Sequence, residues 1–161
     1  MELKEHQIKV LDLLKGHELA VSELYSVFAD KFPEYGQFWS DLSEEEKKHA
    51  TWITNLTEMT ETGEVFFDQK RFNIEAIKTS LAGLKDDVAK AGREAISLIS
   101  ALSMAYYYET ALIERKFFEV FEGDSAKLKH TLLYLSEETR KHQKMVKEAL
   151  EKERAKSSAS S

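Results

Sequence analysis

The chain has 161 residues and a mass of 18.5 kDa, which fits one domain of ordinary size, and 42% of its residues are hydrophobic. This composition excludes a mainly disordered or collagen-like protein. The formal net charge is −6 and the sequence pI is about 5.5, so binding to nucleic acid has little electrostatic support. Cysteine is absent, which excludes disulfides, iron–sulfur clusters and thiolate zinc sites, and any metal must bind to Glu, Asp or His.

The uncharged segments do not predict a membrane protein. The longest of them, residues 95–108, contains three serines and is shorter than the roughly 18–20 apolar residues of a membrane-spanning helix. Charged residues occupy the N-terminal segment, where a signal peptide has its apolar region. We therefore expect a cytoplasmic protein that binds neither membranes nor nucleic acid.

Two helices are predicted in the first third of the chain, and each has a stripe of residues at spacings of three and four. The first helix should end at Phe32-Pro33, since the residue before proline avoids the α region. Thr62-Gly63 supplies the stop signal of the second helix. The stripes consist of Leu11, Leu14, Glu18, Val21, Tyr25, Phe28 and Phe32 in the first helix and of Tyr35, Trp39, Leu42, Glu46, His49, Ile53 and Leu56 in the second.

The middle of the chain is predicted to form a crossover followed by two helices. Residues 63–72 lack a helical period and have the pattern of a long connection. Asn73 is a candidate cap for a shorter lead-in helix, and a long, mostly apolar helix should follow from about Arg93 to Glu122.

A last helix is predicted after Gly123, with Asp124 or Ser125 as its cap. Its stripe consists of Leu128, Leu132, Leu135, Thr139, His142, Val146 and Ala149. We assign residues 1–152 to one helical domain and residues 153–161 to a flexible polar tail.

The chain also contains an internal repeat. Residues 24–50 align with residues 117–143 without a gap, at a constant offset of 93, and eight of the 27 aligned positions are identical. The repeat predicts an all-α fold: a four-helix bundle of two repeated antiparallel hairpins joined by a long crossover, with an extra lead-in helix.

Three polar residues interrupt the apolar stripes of the first two helices: Glu18, Glu46 and His49. A carboxylate in a bundle core is costly unless it is paired or bound to a metal. Glu46 and His49 are three residues apart and share one helix face. A single Glu-x-x-His is also compatible with a solvated charge run, but its coincidence with Glu18 and with the repeated histidine favours a metal site.

Because of these polar residues and their spacing, the chain resembles the ferritin-like di-iron carboxylate superfamily and, within it, the rubrerythrin-like branch. The resemblance is carried by ELAVSELY at 18–25, FA at 28–29 and EEEKKHA at 44–50, with support from ETALIERKFFEVFE and LSEETRKH in the second half. Such proteins hold paired iron or manganese ions with a Glu from each of two helices and a Glu-x-x-His from each of the other two. The resemblance therefore implies Glu18, Glu46 and His49 as metal ligands.

The second half departs from this pattern. Ala111 and Thr139 take the places that correspond to Glu18 and Glu46, and His142 alone stands at its expected ligand position. Glu138 shares a helix face with His142 and is a candidate substitute ligand.

A second substitute could come from Glu114 or Glu109, which point about 140° apart on a helix. We favour Glu114 as the metal ligand over Glu109, although a surface salt bridge is the alternative interpretation of Glu114. The other three histidines, His6, His17 and His130, are predicted to be solvated.

The sequence is compatible with two functions. The resemblance implies a protein that binds one or two iron or manganese ions, without haem or an iron–sulfur cluster, and that reacts with dioxygen or peroxide. Such an oxidoreductase of peroxide reductase or ferroxidase type would take electrons from a donor protein or from iron itself. The alternative is a metal-free ferritin-like scaffold that binds another protein, and a homodimer is a further candidate assembly.

Overall fold

The computed structural model of the protein describes residues 3–67, 72–114, 121–123 and 125–160, and its side chains are described for 4–67, 72–111, 121, 123 and 125–160. The elements in chain order are helix α1 (Leu3–Lys31), a 3₁₀ turn (Pro33–Tyr35), helix α2 (Gly36–Glu61), strand β1 (Phe66–Phe67), helix α3 (Ile74–Arg93), helix α4 (Leu98–Glu114), strand β2 (Phe121–Glu122) and helix α5 (Ala126–Ala159). The predicted all-α class is confirmed.

The helix ends follow from local sequence. Pro33 ends α1, and the short turn after it leads directly into α2. Gly63, after the end of α2, has φ +82°, a conformation that glycine adopts without strain. The side chains of Asn73 and Ser125 accept hydrogen bonds from the backbone N–H groups at the starts of α3 and α5. The predicted caps Asn73 and Ser125 are thereby confirmed, whereas Asp124 lies outside the described residues.

The helices pack as a bundle. Helix α1 packs against both α2 and α3. Helix α4 packs against α5, and α2 also contacts α5. The predicted stripes form the interior, where Tyr25, Phe28 and Trp39 are fully buried and their rings contact one another. None of the helices over the described residues combines the length and apolar content that a membrane span requires.

Two stretches differ from the predicted helices. The long helix expected from Arg93 starts only at Leu98, and Phe121–Glu122 pairs with Phe66–Phe67 in a two-stranded antiparallel ribbon. The rings of Phe67 and Phe121 are in edge contact at a centroid distance of 5.0 Å. The prediction that this helix continues to Glu122 was therefore wrong. Phe121 and Glu122 pair with a strand in the crossover, and this pairing outweighs their local preference for a helix.

At the C-terminus, α5 extends to Ala159 and enters the predicted tail of 153–161. Tyr35 donates a hydrogen bond to Glu153 at 2.7 Å, which ties the start of this segment to the turn before α2. The boundary at residue 152 is therefore not a helix end. The flexibility of the tail remains a prediction.

Candidate metal centre

Four helices each direct at least one polar group into the same part of the core. Glu18 comes from α1, Glu46 and His49 from α2, Glu109 from α4 and His142 from α5. Each of the five is at most 2% exposed. Such burial of carboxylates is unfavourable unless partners or a cation compensate for the lost hydration.

The carboxylate of Glu46 lies between the two imidazoles. Its Oε1 is 2.7 Å from Nδ1 of His142 and its Oε2 is 3.2 Å from Nδ1 of His49. The two rings stack with their centroids 5.0 Å apart and an interplanar angle of 19°. Because each oxygen faces a different histidine, Glu46 joins two halves of one cluster.

A second carboxylate stands beside each histidine. Glu18 Oε2 is 3.7 Å from Nδ1 of His49, and Glu109 Oε1 is 3.9 Å from Nδ1 of His142. Each half therefore consists of one imidazole nitrogen, one oxygen of Glu46 and one further carboxylate, at closely similar distances. The two halves are alike in geometry although Glu109 does not occupy the position that corresponds to Glu18 in the repeat.

Tyr25 connects Glu109 to the first hairpin. Its hydroxyl donates a hydrogen bond of 2.7 Å to Glu109 Oε1, and both side chains are buried. This bond holds the α4 carboxylate in place from α1.

Several polar atoms of the cluster lack hydrogen-bond partners. Within the described part of the chain, Glu18 Oε2, Glu109 Oε2 and His49 Nε2 are buried and accept or donate no hydrogen bond. Orphaned buried atoms of this kind are rare in proteins and require a reason. The two carboxylate oxygens are the atom type that a divalent cation binds.

Burial and mutual repulsion set the charges of the carboxylates. Burial, together with the charge of Glu46, raises the pKa of Glu18 to about 8 and raises the pKa of Glu109 well above its usual range. Burial also acts to raise the pKa of Glu46, but hydrogen bonds with His142 and His49 outweigh it and hold that pKa well below its usual range.

His49 is the positive counterpart of Glu46. Burial disfavours its charged form, yet the adjacent carboxylates of Glu18 and Glu46 raise its pKa to about 11. The metal-free core therefore contains at neutral pH an ionised Glu46 beside a protonated His49, while the raised pKa values of Glu18 and Glu109 mean that both carboxyl groups hold their protons more tightly than in water. A cation entering the cluster would replace these protons.

The donor set fits a divalent metal ion. One ligand atom each from Glu46, His49 and His142 lie within 4.8 Å of one another, and all three residues are buried. Carboxylate oxygen and imidazole nitrogen are ligands for iron and manganese. The fit rests on this chemistry and on the unpartnered oxygens of Glu18 and Glu109.

A second group of candidate ligands shares His142. It includes Glu45 and Glu138, which are partly exposed, and their ligand atoms and that of His142 also lie within 4.8 Å of one another. Glu45 is 2.7 Å from Lys48 and Glu138 is 3.9 Å from Lys141. The lysines compensate these carboxylates at the surface, so the group needs no cation to explain it.

Four of the residues predicted as metal ligands lie together in the core. Glu18, Glu46, His49 and His142 meet in the core cluster. Glu138 instead lies at the cluster's outer side with Glu45.

The structure describes one of the two candidate carboxylates of α4. Glu109 is the α4 carboxylate that the structure shows in the core, contrary to the preference for Glu114, whose side chain lies outside the described residues. Thr139 is buried one turn before His142, and its hydroxyl donates to the carbonyl oxygen of Leu135 at 2.8 Å.

The remaining histidines were predicted to be solvated. This is correct for His130, which is exposed, whereas His6 is partly buried. For His17 the prediction was wrong, because it is buried with Nε2 3.5 Å from the carbonyl oxygen of Ile77. Helix α3 packs on this side of α1 and buries His17. The residue pattern of α1 alone does not show that another helix packs there.

Comparison with known proteins gives no relative: no family model matches the chain, and neither a curated protein nor a solved structure matches it.

Proposed function

We propose that this chain is a metal-binding protein of the ferritin-like, rubrerythrin-like type, whose bundle core holds iron or manganese. The observation that carries the proposal is the position of Glu46 between two histidines, with unpartnered oxygens of Glu18 and Glu109 beside them. A core selected only for stability gains nothing from these orphaned acids. A bound cation would supply the missing partner for each oxygen.

The proposed ligands form two sets that share Glu46. Glu18, His49 and one oxygen of Glu46 would hold one side of the centre, and Glu109, His142 and the other oxygen of Glu46 would hold the other side. When bound, iron or manganese would supply redox chemistry toward dioxygen or peroxide, which is the oxidoreductase activity that the family resemblance implies. The absence of cysteine means that electrons would come from a partner protein or from the metal substrate.

Metal binding can be tested without activity. Protein purified in chelator and then loaded with Mn²⁺ or with Fe²⁺ under anaerobic conditions should retain the metal after desalting, at one equivalent or more. The Glu46→Gln variant should retain less than about a tenth of the wild-type amount, since it loses the carboxylate shared by both halves. Glu44→Gln is the matched control, because Glu44 lies in the same helix and is exposed.

Thermal melting provides a second measurement. Metal at about one hundred times its dissociation constant should stabilise the wild type by about 2.7 kcal/mol, which corresponds to a Tm increase of roughly 5–11 °C for a chain of this length. Absence of both metal retention and a Tm shift would reject the proposal. That result would favour the metal-free scaffold, for which the closed Glu46–His142 bond is the supporting observation.

A further inference from the structure

The cluster in the core shares a histidine with a second group of ligand atoms nearer the surface. One ligand atom each from Glu45, Glu138 and His142 lie within 4.8 Å of one another, and the same is true of Glu46, His49 and His142. Glu45 and Glu138 are partly exposed, whereas His142 is 1% exposed. His142 therefore belongs both to a group that solvent reaches and to a group that is closed to solvent.

The two outer carboxylates form a matched pair across α2 and α5. Glu45 and Glu138 are equivalent positions of the repeat, and so are the lysines beside them, Lys48 and Lys141. The Nζ atom of Lys48 is 2.7 Å from the carboxylate of Glu45, and that of Lys141 is 3.9 Å from the carboxylate of Glu138. Both lysine side chains are more than half exposed, and such surface pairs contribute at most about 1 kcal/mol each. A cation arriving from solution can therefore displace either lysine at small cost.

Among the described side chains, those on the other sides of the cluster are less suited to admit a cation. The ring of Tyr134 lies in edge contact with that of His49 at a centroid distance of 6.3 Å, and Trp52 lies against Tyr134 at 4.7 Å. On the side of α4, the bond between Tyr25 and Glu109 is buried, and α3 packs on α1. A cation that passes apolar rings loses its hydration without replacement, whereas carboxylates replace the water ligands of a divalent ion.

We propose that Glu45 and Glu138 form the entrance through which a divalent cation reaches the core. This inference rests on the proposed metal-binding function and adds a route to it. The two carboxylates take the cation from solution, and His142 then transfers it to the carboxylates of the core, since His142 is a member of both groups. Lys48 and Lys141 return to the carboxylates afterwards, so the entrance keeps no resident cation.

The kinetics of cobalt binding to the full chain test the proposal. The visible absorption of Co²⁺ gives the rate of uptake by metal-free protein, and an excess of EDTA added to loaded protein gives the rate of release. In Glu45→Gln/Glu138→Gln both rates should fall at least about tenfold, while the dissociation constant stays within about threefold of the wild type. Residues that act only on the route change uptake and release by the same factor, because they leave the free energies of the free and bound states unchanged.

Glu44→Gln/Glu137→Gln serves as the control for net charge. Glu44 and Glu137 each precede an entrance residue by one position, are exposed, and are equivalent in the repeat. The control variant therefore loses the same two negative charges from the same two helices. Its rates of uptake and release should stay within about threefold of the wild type.

The results separate the two proposals. If the wild type takes up no cobalt, the proposed function fails; if it takes up cobalt and Glu45→Gln/Glu138→Gln matches it in both rates, only the entrance fails. A variant that loses bound cobalt at equilibrium would also overturn the entrance, since Glu45 and Glu138 would then be ligands of the resident cation. An equal decrease of the rates in the control would show an effect of net charge alone and would overturn it as well.

Discussion

Replacement of Glu18 by glutamine should make the metal-free protein more stable. Glu18 is 2% exposed, and its pKa is raised to about 8 from an ordinary value of 4.5. At pH 7 the unfolded chain has released this proton, whereas the folded chain retains it. Glutamine has nearly the same shape and needs no proton, so the variant avoids this cost of folding.

The pKa shift gives the magnitude. Because the folded pKa is above the unfolded one, the stability contributed by Glu18 is complete below pH 4.5 and decreases until about pH 8. At pH 7 the separation from the ordinary pKa is about 2.5 units, which at 1.36 kcal/mol per unit is about 3 kcal/mol. At pH 5 the same calculation gives less than about 1 kcal/mol.

Urea denaturation in chelator at pH 7 and pH 5 measures the effect. Glu18→Gln should exceed the wild type by about 2–3 kcal/mol at pH 7, and the difference should shrink at pH 5. Glu23→Gln, a change at an exposed position of the same helix, should stay within about 0.5 kcal/mol of the wild type. With saturating Mn²⁺ the stability advantage of the variant should decrease, since under the proposed function the variant has lost a ligand.

Two results would refute this reasoning. One is a Glu18→Gln variant that is less stable than the wild type at pH 7 in chelator. The other is a stability gain that does not depend on pH. Either would mean that the Glu18 carboxyl has favourable partners in the metal-free core, and the case for a cation beside it would weaken.

The other predictions concern stability in chelator, measured by urea denaturation. Tyr25→Phe removes the hydrogen bond to Glu109 and should cost about 1–3 kcal/mol; no loss would show that the bond does not position that carboxylate. Gly83→Ala should stabilise by about 0.5–1 kcal/mol, because Gly83 is inside a helix and an added Cβ meets no atom within 4 Å; a destabilised variant would contradict this. Gly123→Ala should destabilise by about 1–3 kcal/mol, since its Cβ would lie 2.7 Å from the carbonyl oxygen of Glu64, and an unchanged midpoint would mean that the ribbon shifts freely.

Much of the first hairpin could be predicted from its sequence. Its stripes alternate clearly with polar residues, so Glu18, Glu46 and His49 stand out as polar residues on buried faces, and all three are buried. The ends at Pro33 and Gly63 depend on local backbone restrictions. Features of this kind can be recognised from neighbouring residues alone.

The second half could be predicted less well, because α4 is apolar on most of its surface. An amphipathic stripe shows which way a helix faces, whereas α4 has few polar residues, and both Glu109 and Glu114 could be directed inward. The break before Leu98 also removes α4 from the continuous helix that the pattern suggested. Its rotation depends on packing against α5 and on the bond from Tyr25, and these contacts join residues far apart in sequence.

The first hairpin positions the polar groups that α4 and α5 contribute to the core cluster. Reciprocal hydrogen bonds between the hydroxyls and carbonyl oxygens of Ser22 and Ser43 hold α1 close to α2. From this pair of helices, Tyr25 holds Glu109, and Glu46 holds His142. Glu109 of α4 and His142 of α5 therefore each have a hydrogen-bond partner in α1 or α2. His142 occupies the position equivalent to His49 in the repeat, whereas the repeat places no glutamate at Ala111 or Thr139. Contacts with the first hairpin therefore explain how Glu109 comes to lie about as far from His142 as Glu18 lies from His49.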